Sequence, residues 1–163
     1  MSDTHLTAQI LRDLYHYNPE TGIFTRRIRR GGYLAGGMAG SHKKKGYLSI
    51  AYLGKEYPAH RVAWLYVYGK WPNGFIDHKN GIKSDNRIEN LREANSKLNN
   101  ENRRTASTKS RTGLLGAYPF KNRFVAFIGT NGKNKNLGYF DTAEEAHEAY
   151  LKAKRKIHEG CTI

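Results

Sequence analysis

The chain has 163 residues, and its 28 lysines and arginines outnumber its 14 aspartates and glutamates to give a formal charge of +14. That length fits one domain or two small ones, and eleven tyrosines with 38% hydrophobic residues argue against wholesale disorder. No apolar run approaches the roughly 18 residues of a membrane-spanning helix, the N-terminus lacks an export-signal pattern, and one cysteine, Cys161, excludes a disulfide framework or a cysteine-built zinc site.

The first 57 residues predict a helix followed by basic, glycine-rich hairpins. Thr7 is suited to cap a helix, and a turn signal follows at residues 18–22. Segments 26–32 and 36–46 combine glycines with cations but fit no nucleotide-binding fingerprint, so we interpret them as solvated basic loops suited to phosphate contact. The elements predicted here are a helix at 7–16 and strands at 23–25, 47–52 and 55–57.

The next segment changes from apolar to polar. Pro58 opens a helix predicted at 60–69. Beyond residue 75, asparagine, aspartate and arginine become frequent, and the pattern predicts short strands at 76–78 and 88–92, a turn at 81–86 and a polar helix at 94–102.

The C-terminal segment follows a polar linker at 105–110. Strands are predicted at 115–118, 123–128 and 134–140, with a turn at 130–132. A capping box that begins at Thr142 opens the clearest helix of the chain. Alternation along the middle strand places Phe124, Ala126 and Ile128 against that helix and directs Arg123, Val125 and Phe127 outward.

Asp77 and His78 begin the pattern that carries chemistry. Adjacent strand residues point to opposite faces, so one side chain can face a metal while the other faces a water to be activated. A hairpin partner would bring Asn90 beside His78, and the following helix could return Asn99 toward Asp77. Such a set supplies oxygen ligands for a hard cation and a general base held by an amide.

These residues stand in segments that resemble a known family. Residues 76–81, 85–92 and 99–102 are similar, in order and spacing, to the motif of HNH endonucleases, in the phage-type, homing-endonuclease branch of the ββα-metal nucleases. The resemblance extends upstream to residues 60–65 and 18–22. It implies that His78 is the general base, that Asn90 orients it, and that Asp77 and Asn99 hold one divalent ion. Asn99 replaces the last histidine of the motif and favours magnesium, for which manganese can substitute, over zinc.

His60 is a candidate supporting residue of the same site. It is suited to support the hairpin that carries Asp77 and His78, or to contact a phosphate. A structural histidine at a helix start is an equally good interpretation of its position.

The last segment resembles the Apetala-type, or ethylene-response-factor, DNA-binding domain. Residues 116–118, 123–128 and 137–146 carry the similarity, which implies a three-stranded sheet laid in the major groove. Apolar Val125 and Phe127 depart from the charged pattern of that family, so they face either DNA or protein, and a generic interaction module is the alternative.

Together these features predict an α+β protein of two parts that binds double-stranded DNA. The predicted domains are an N-terminal helix and basic hairpin region at 1–57, an HNH core at 58–104, the linker at 105–110 and a DNA-binding domain at 111–163. The predicted DNA contacts are Arg27, Arg29, Arg30, Lys43, Lys44, Lys45, Arg61, Tyr118, Lys121, Arg123, Lys133, Lys135 and Asn136.

The expected activity is metal-dependent hydrolysis of DNA phosphodiesters at preferred sites. We expect a cytoplasmic protein, monomeric, phage-encoded, with no membrane and no small-molecule substrate. The competing hypothesis is a non-catalytic DNA-binding regulator that uses the HNH fold as a scaffold.

Overall fold

The computed structural model describes residues 6–130 and 132–162. Its contacts divide the chain into two units, Met1–Ala94 and Asn95–Ile163. Asn131, in the predicted turn at 130–132, and residues 1–5, in the predicted N-terminal region, lie outside the described residues. No helix within 6–130 or 132–162 has both the length and the apolar character needed to cross a membrane.

Residues 6–94, the described part of the first unit, contain two α-helices and eight strands. They are α1 Ala8–Leu14, β1 Tyr15–Asn18, β2 Ile23–Arg26, β3 Met38–Ala39, β4 Ser41–His42, β5 Leu48–Tyr52, β6 Lys55–Pro58, α2 Ala59–Tyr68, β7 Phe75–His78 and β8 Leu91–Ala94. The strands form antiparallel sheets in the orders β1-β2-β3, β4-β5-β6 and β7-β8. The mixture of helices and small antiparallel sheets agrees with the predicted α+β class.

The core of this unit joins α1, α2 and the first two sheets. Leu11, Ile50 and Val62 are almost fully buried in one cluster, and Phe24 lies among the rings of Tyr17 and Tyr66. This arrangement holds the β1-β2 hairpin against α2, from which the chain continues into the β7-β8 hairpin.

Three predicted elements of the first unit were wrong in part. The helix predicted at 7–16 ends at Leu14, because Tyr15 adopts extended backbone angles and residues 15–18 pair with β2. The loop predicted at 36–46 contains β3, β4 and a 3-10 turn, Lys44–Gly46. The strand predicted at 88–92 begins as a 3-10 turn, Ile88–Asn90, before β8.

The second unit contains two helices and one sheet. Its elements are α3 Ser96–Glu101, β9 Ala117–Phe120, β10 Arg123–Thr130, β11 Lys133–Phe140 and α4 Ala143–Ile157, and the antiparallel sheet has the order β11-β10-β9. The predicted capping box is confirmed: Thr142 accepts from the Glu145 N–H, and the Glu145 carboxylate accepts from the Thr142 N–H.

Helix α4 packs on one face of this sheet. Ala117, Ala126 and Ala146 form the centre of the contact, with Phe124 against them, as alternation predicted. Val125 was expected to point outward. It lies on the opposite face, but only 3% of it is exposed, because its neighbours across both strand pairs are tyrosines, Tyr118 and Tyr139.

The boundary between the units falls before the predicted linker. Glu101 accepts a hydrogen bond from the Gly160 N–H, Asn102 accepts from the Thr162 hydroxyl, and Lys154 donates to the Arg103 carbonyl. These bonds group α3 with the end of the chain. The domain ranges derived from the sequence stay a prediction.

Candidate functional site

The β7-β8 hairpin carries the central residues of the candidate site. Asp77 lies opposite Arg92 and His78 lies opposite Leu91 in its antiparallel register. Asp77 and His78 are 7% and 5% exposed. Two adjacent polar side chains are therefore buried where a surface pair of turn residues would be solvated.

The His78 ring contacts an amide. Its Nε2 lies 3.2 Å from Asn86 Oδ1. A carbonyl oxygen only accepts, so Nε2 carries the proton in this arrangement and Nδ1 is the basic nitrogen. Burial lowers the pKa of His78, and this effect outweighs the Asn86 bond and the carboxylates of Asp77 and Asp85, which raise it. His78 is therefore neutral at pH 7 and able to accept a proton.

Asn90 holds the loop between the two strands. Its Oδ1 accepts from the Asn80 N–H at 2.9 Å, and its Nδ2 donates to the Asp85 carbonyl at 2.8 Å. Bonds from Arg87 stabilise the Asp85 carboxylate and hold its pKa down to about 2. Asn90 thus shapes the loop that carries Asn86 to His78; its predicted role in orienting His78 stays a prediction.

The β1-β2 hairpin contacts the backbone of Asn86. The Tyr17 hydroxyl donates to the Asn86 carbonyl at 2.7 Å, and burial raises the pKa of that phenol. Gly22 has φ +71°, and a Cβ built there would lie 2.5 Å from the Asn86 carbonyl carbon. Residues more than sixty positions upstream therefore set the place of the amide that contacts His78.

His60 presents a second imidazole to His78. The two ring centroids are 5.1 Å apart, with ring planes at 77°. Burial lowers the pKa of His60 to about 4, helped by the nearby His78 and Arg61. His60 Nδ1 is buried and has no hydrogen-bond partner among the described residues.

Tyr47 contributes a third ring beside those of His60 and His78. Its ring lies 5.6 Å from that of His60 and 6.1 Å from that of His78, and the Lys83 ammonium lies 5.1 Å above it. The result is an aromatic wall beside His78 that is buried at His60 and half-buried at Tyr47, with the Lys83 cation near it.

Asp77 is paired with Arg92. The guanidinium Nε and Nη2 both donate to Asp77 Oδ2, at 2.9 and 2.8 Å. A hard divalent ion bound to a single carboxylate, amide oxygens, water and phosphate is chemically normal. Asp77 therefore fits as a ligand of such an ion, provided that Arg92 shares the carboxylate.

The geometry gives less support to the prediction that Asn99 is the second metal ligand. Within residues 6–130 and 132–162, no three histidine, cysteine, aspartate or glutamate side chains cluster to hold an ion. Asn99 is exposed on α3 and belongs to the second unit. Its pairing with Asp77 stays a prediction from the motif spacing.

The predicted DNA contacts are exposed, with one exception. Arg61 is half-buried, and its guanidinium donates to the Gly74 carbonyl at 2.9 Å and lies near the Trp71 ring. It secures the connection from α2 to β7. Two others form surface ion pairs, Lys43 with Glu56 and Arg123 with Asp141, and Asn136 accepts from the Gly138 N–H.

Sequence reasoning missed the supporting residues Asn86, Tyr17, Gly22, Tyr47 and Arg92. Asn86 lies within the motif segment 85–92 and Gly22 closes the turn at 18–22, so both stood in segments that had been noticed. Arg92 ends the same motif segment, but its contact with Asp77 depends on strand register. Tyr17 and Tyr47 lie outside the motif segments, and their contacts depend on packing.

Comparison with known proteins agrees with this geometry. Residues 57–101 match the family model described as HNH endonuclease. No curated protein and no solved structure matched the chain. The matched stretch contains α2, the β7-β8 hairpin and α3, and it supports an HNH-type nuclease.

Proposed function

We propose that the chain is a metal-dependent DNA endonuclease of the homing type that hydrolyses phosphodiester bonds at preferred sites. The observation that carries the proposal is the buried His78, held neutral beside an amide oxygen and next to the Asp77 carboxylate, within the segment that matches the HNH family. A phage origin is part of the same proposal and rests on the resemblance alone.

His78 would act as the general base. A water in line with the scissile phosphorus gives its proton to Nδ1, and its oxygen forms a bond to phosphorus as the bond to the 3′ oxygen breaks. The leaving 3′ oxygen takes a proton from solvent, so the products are a 5′ phosphate and a 3′ hydroxyl. Asn86 keeps its bond to the Nε2 proton, and the carboxylates of Asp77 and Asp85 favour the imidazolium that forms.

A divalent ion, magnesium by the hardness of its ligands, would stabilise the charge on the phosphorane and the leaving oxygen when bound. Asp77 would hold it, with Asn99 as second ligand by motif spacing, and manganese can substitute. The charge of Arg92 next to Asp77 would help to balance the carboxylate when no cation is present.

His60 would act as a positioning residue. Its buried, uncharged ring packs by its edge against His78 and limits the orientations open to that imidazole. The exposed cations among the predicted DNA contacts would bind phosphates of the DNA.

Residues 111–163 would be the DNA-binding domain. Its three-stranded sheet backed by α4 agrees with the Apetala-type resemblance at the level of element order. A non-catalytic DNA-binding regulator is the second candidate function, favoured by the ion pair that Asp77 already makes with Arg92.

Plasmid nicking tests the proposal. The protein is incubated with supercoiled DNA in magnesium, in manganese and in chelator, and the His78→Ala variant is compared with His16→Ala, whose histidine is exposed on β1. We expect nicking only with a divalent ion, its loss in His78→Ala, and unchanged DNA affinity in both variants.

Two results would contradict the assignment. Intact plasmid under every ion condition, with DNA binding retained, would favour the regulator. Wild-type rates from His78→Ala would show that another group accepts the proton.

A further inference from the structure

The face of the β9-β10-β11 sheet opposite α4 is aromatic and exposed. Val125 lies directly opposite Tyr118 on one side and Tyr139 on the other, and directly opposite residues share a face. Alternation adds Phe120 and Phe127. Tyr118, Phe120 and Tyr139 are 52%, 46% and 47% exposed, so about half of each residue's surface is open to a ligand.

The rings of this aromatic face form two pairs. Phe120 and Tyr139 have centroids 5.2 Å apart, and those of Tyr118 and Phe127 are 6.1 Å apart. Each pair adjoins a depression in the surface. One of about 420 Å³ lies among Phe120, Lys121, Arg123 and Tyr139.

The second depression, of about 730 Å³, has an aromatic wall and polar groups at its rim. Tyr118 and Phe127 line it from the sheet, Tyr150 from α4, and Asn100 and Arg103 from α3 and its end. Its volume falls in the range of small-ligand sites, and a flat ring with hydrogen-bonding edges fits such a lining.

Positive charge predominates in the strands of this face, and Arg123 is paired with Asp141 just beyond β11. Residues 117–140 contain four cations, Lys121, Arg123, Lys133 and Lys135, and no acidic residue. All six carboxylates of residues 95–163 lie outside these strands. The Lys121 ammonium lies 5.9 Å from the centre of the Phe120 ring, and alternation places Arg123 on the aromatic face. Lys133 and Lys135 lie opposite Thr130 and Ile128, on the side of α4. Stacking rings with cations beside them suit a polyanion that carries exposed rings.

We propose that this aromatic face binds unpaired nucleotides of single-stranded DNA by stacking, with Lys121 and Arg123 on the phosphates. The proposal rests on the function proposed above only for DNA as the partner, and it names the form of DNA that this surface takes. Paired bases hide their faces inside the duplex, so aromatic side chains gain by stacking only where bases are unpaired.

The test measures binding by the full chain in chelator, where cleavage is suppressed. A labelled 12-nucleotide single strand and its duplex are titrated by fluorescence anisotropy against wild type, Phe120→Leu, Tyr118→Leu and the control Tyr68→Leu, which removes a similarly exposed ring from α2. Leucine keeps an apolar strand residue and removes the aromatic face, and melting curves check the fold.

We expect each sheet variant to bind the single strand about 5- to 150-fold more weakly, with little change for the duplex or the control. The slope of log K against log salt should stay at the wild-type value, because stacking releases no counterions.

Three outcomes would overturn the inference: unaltered single-strand affinity in both sheet variants, an equal loss for duplex and single strand, or leucine variants that alter only the oligomeric state. The last would assign the face to a second copy of the chain. Single-strand binding that depends on these rings without any plasmid nicking would leave this inference standing and remove the nuclease.

Discussion

At the scale of the residue, the candidate site depends on keeping two imidazoles uncharged. Burial is the largest cause of the lowered pKa of both His60 and His78. The rings are also close together, so protonation of both at the same time is unfavourable. Only His78 has carboxylates that favour its protonated form. A proton released in the site would therefore settle on His78.

The low pKa of His60 predicts a pH-dependent stability. The unfolded chain binds a proton at His60 below its ordinary pKa of 6.5, whereas the folded chain does so only near 4. The contribution of His60 to the free energy of unfolding is therefore at its maximum above pH 6.5. It declines by roughly 3 kcal/mol as the pH falls to 4. Urea unfolding of His60→Gln should show a shallower decline over that range than wild type.

The exposed His16 provides the control for this measurement. His16→Gln should follow the wild-type curve, since its ring is solvated in the folded chain. Parallel curves for wild type and His60→Gln would show that His60 titrates alike in both states.

At the scale of the element, the β1-β2 hairpin acts as a support for the loop before β8. Tyr17 bonds to the Asn86 carbonyl, and Gly22 approaches the same backbone too closely for any side chain. The loop itself is closed by Asn90 and by the Asp85–Arg87 pair. The position of the amide at His78 is thus decided by two separate hairpins.

Removal of the Tyr17 hydroxyl should weaken catalysis more than DNA binding. Tyr17→Phe leaves the buried Asn86 carbonyl without this partner, at a cost of about 1–3 kcal/mol in unfolding free energy. The nicking rate should fall while DNA affinity holds. Tyr15→Phe is the matched control, because that hydroxyl makes only a long 3.4 Å bond to Ala51; equal effects of both substitutions would argue against the support.

A side chain at position 22 should displace the loop. Gly22→Ala incurs the strain of positive φ and also a clash with the Asn86 backbone. Gly113→Ala is the control, since φ there is +69° and nothing lies within 4 Å of its added Cβ. We expect the melting temperature and the nicking rate to fall clearly further for Gly22→Ala, and equal losses would show that the loop tolerates the methyl group.

At the scale of the whole molecule, positive charge is shared evenly. Residues 1–94 carry 15 basic and 8 acidic side chains, and residues 95–163 carry 13 and 6. Each unit therefore has a net charge of +7. Formal charge therefore gives neither unit the stronger electrostatic attraction for a polyanion.

Salt dependence can separate the contributions of the two units. The double variants Lys44→Gln/Lys45→Gln and Lys133→Gln/Lys135→Gln should each reduce the slope of log K against log salt by about 1 to 2, as lost phosphate contacts do. Lys152→Gln/Lys156→Gln, on α4, should leave the slope unchanged. A reduction by only one of the first two pairs would show that a single unit contacts the backbone.

The elements were predictable where their signals are local. The capping box at Thr142 and the helix after Pro58 are read from residues that contact one another within a turn. The strand predicted at 88–92 is confirmed at residues 91 and 92, but residues 88–90 form a 3-10 turn in which Asn90 bonds to the loop before β8. The predicted end of the first helix was wrong because Tyr15 pairs with β2, and this pairing outweighs the helical spacing of the apolar residues.

By itself the sequence determined the α+β class, the HNH segment and the Asp77-His78 pair, because each depends on residue types at short spacing. Only the tertiary structure showed Asn86 at His78, His60 against its ring and Arg92 on Asp77. Those contacts depend on strand register, on burial and on residues as distant as Tyr17, and no local spacing encodes them. The same holds for the aromatic face of the second unit, where pairing of three strands brings together rings that lie far apart in the chain.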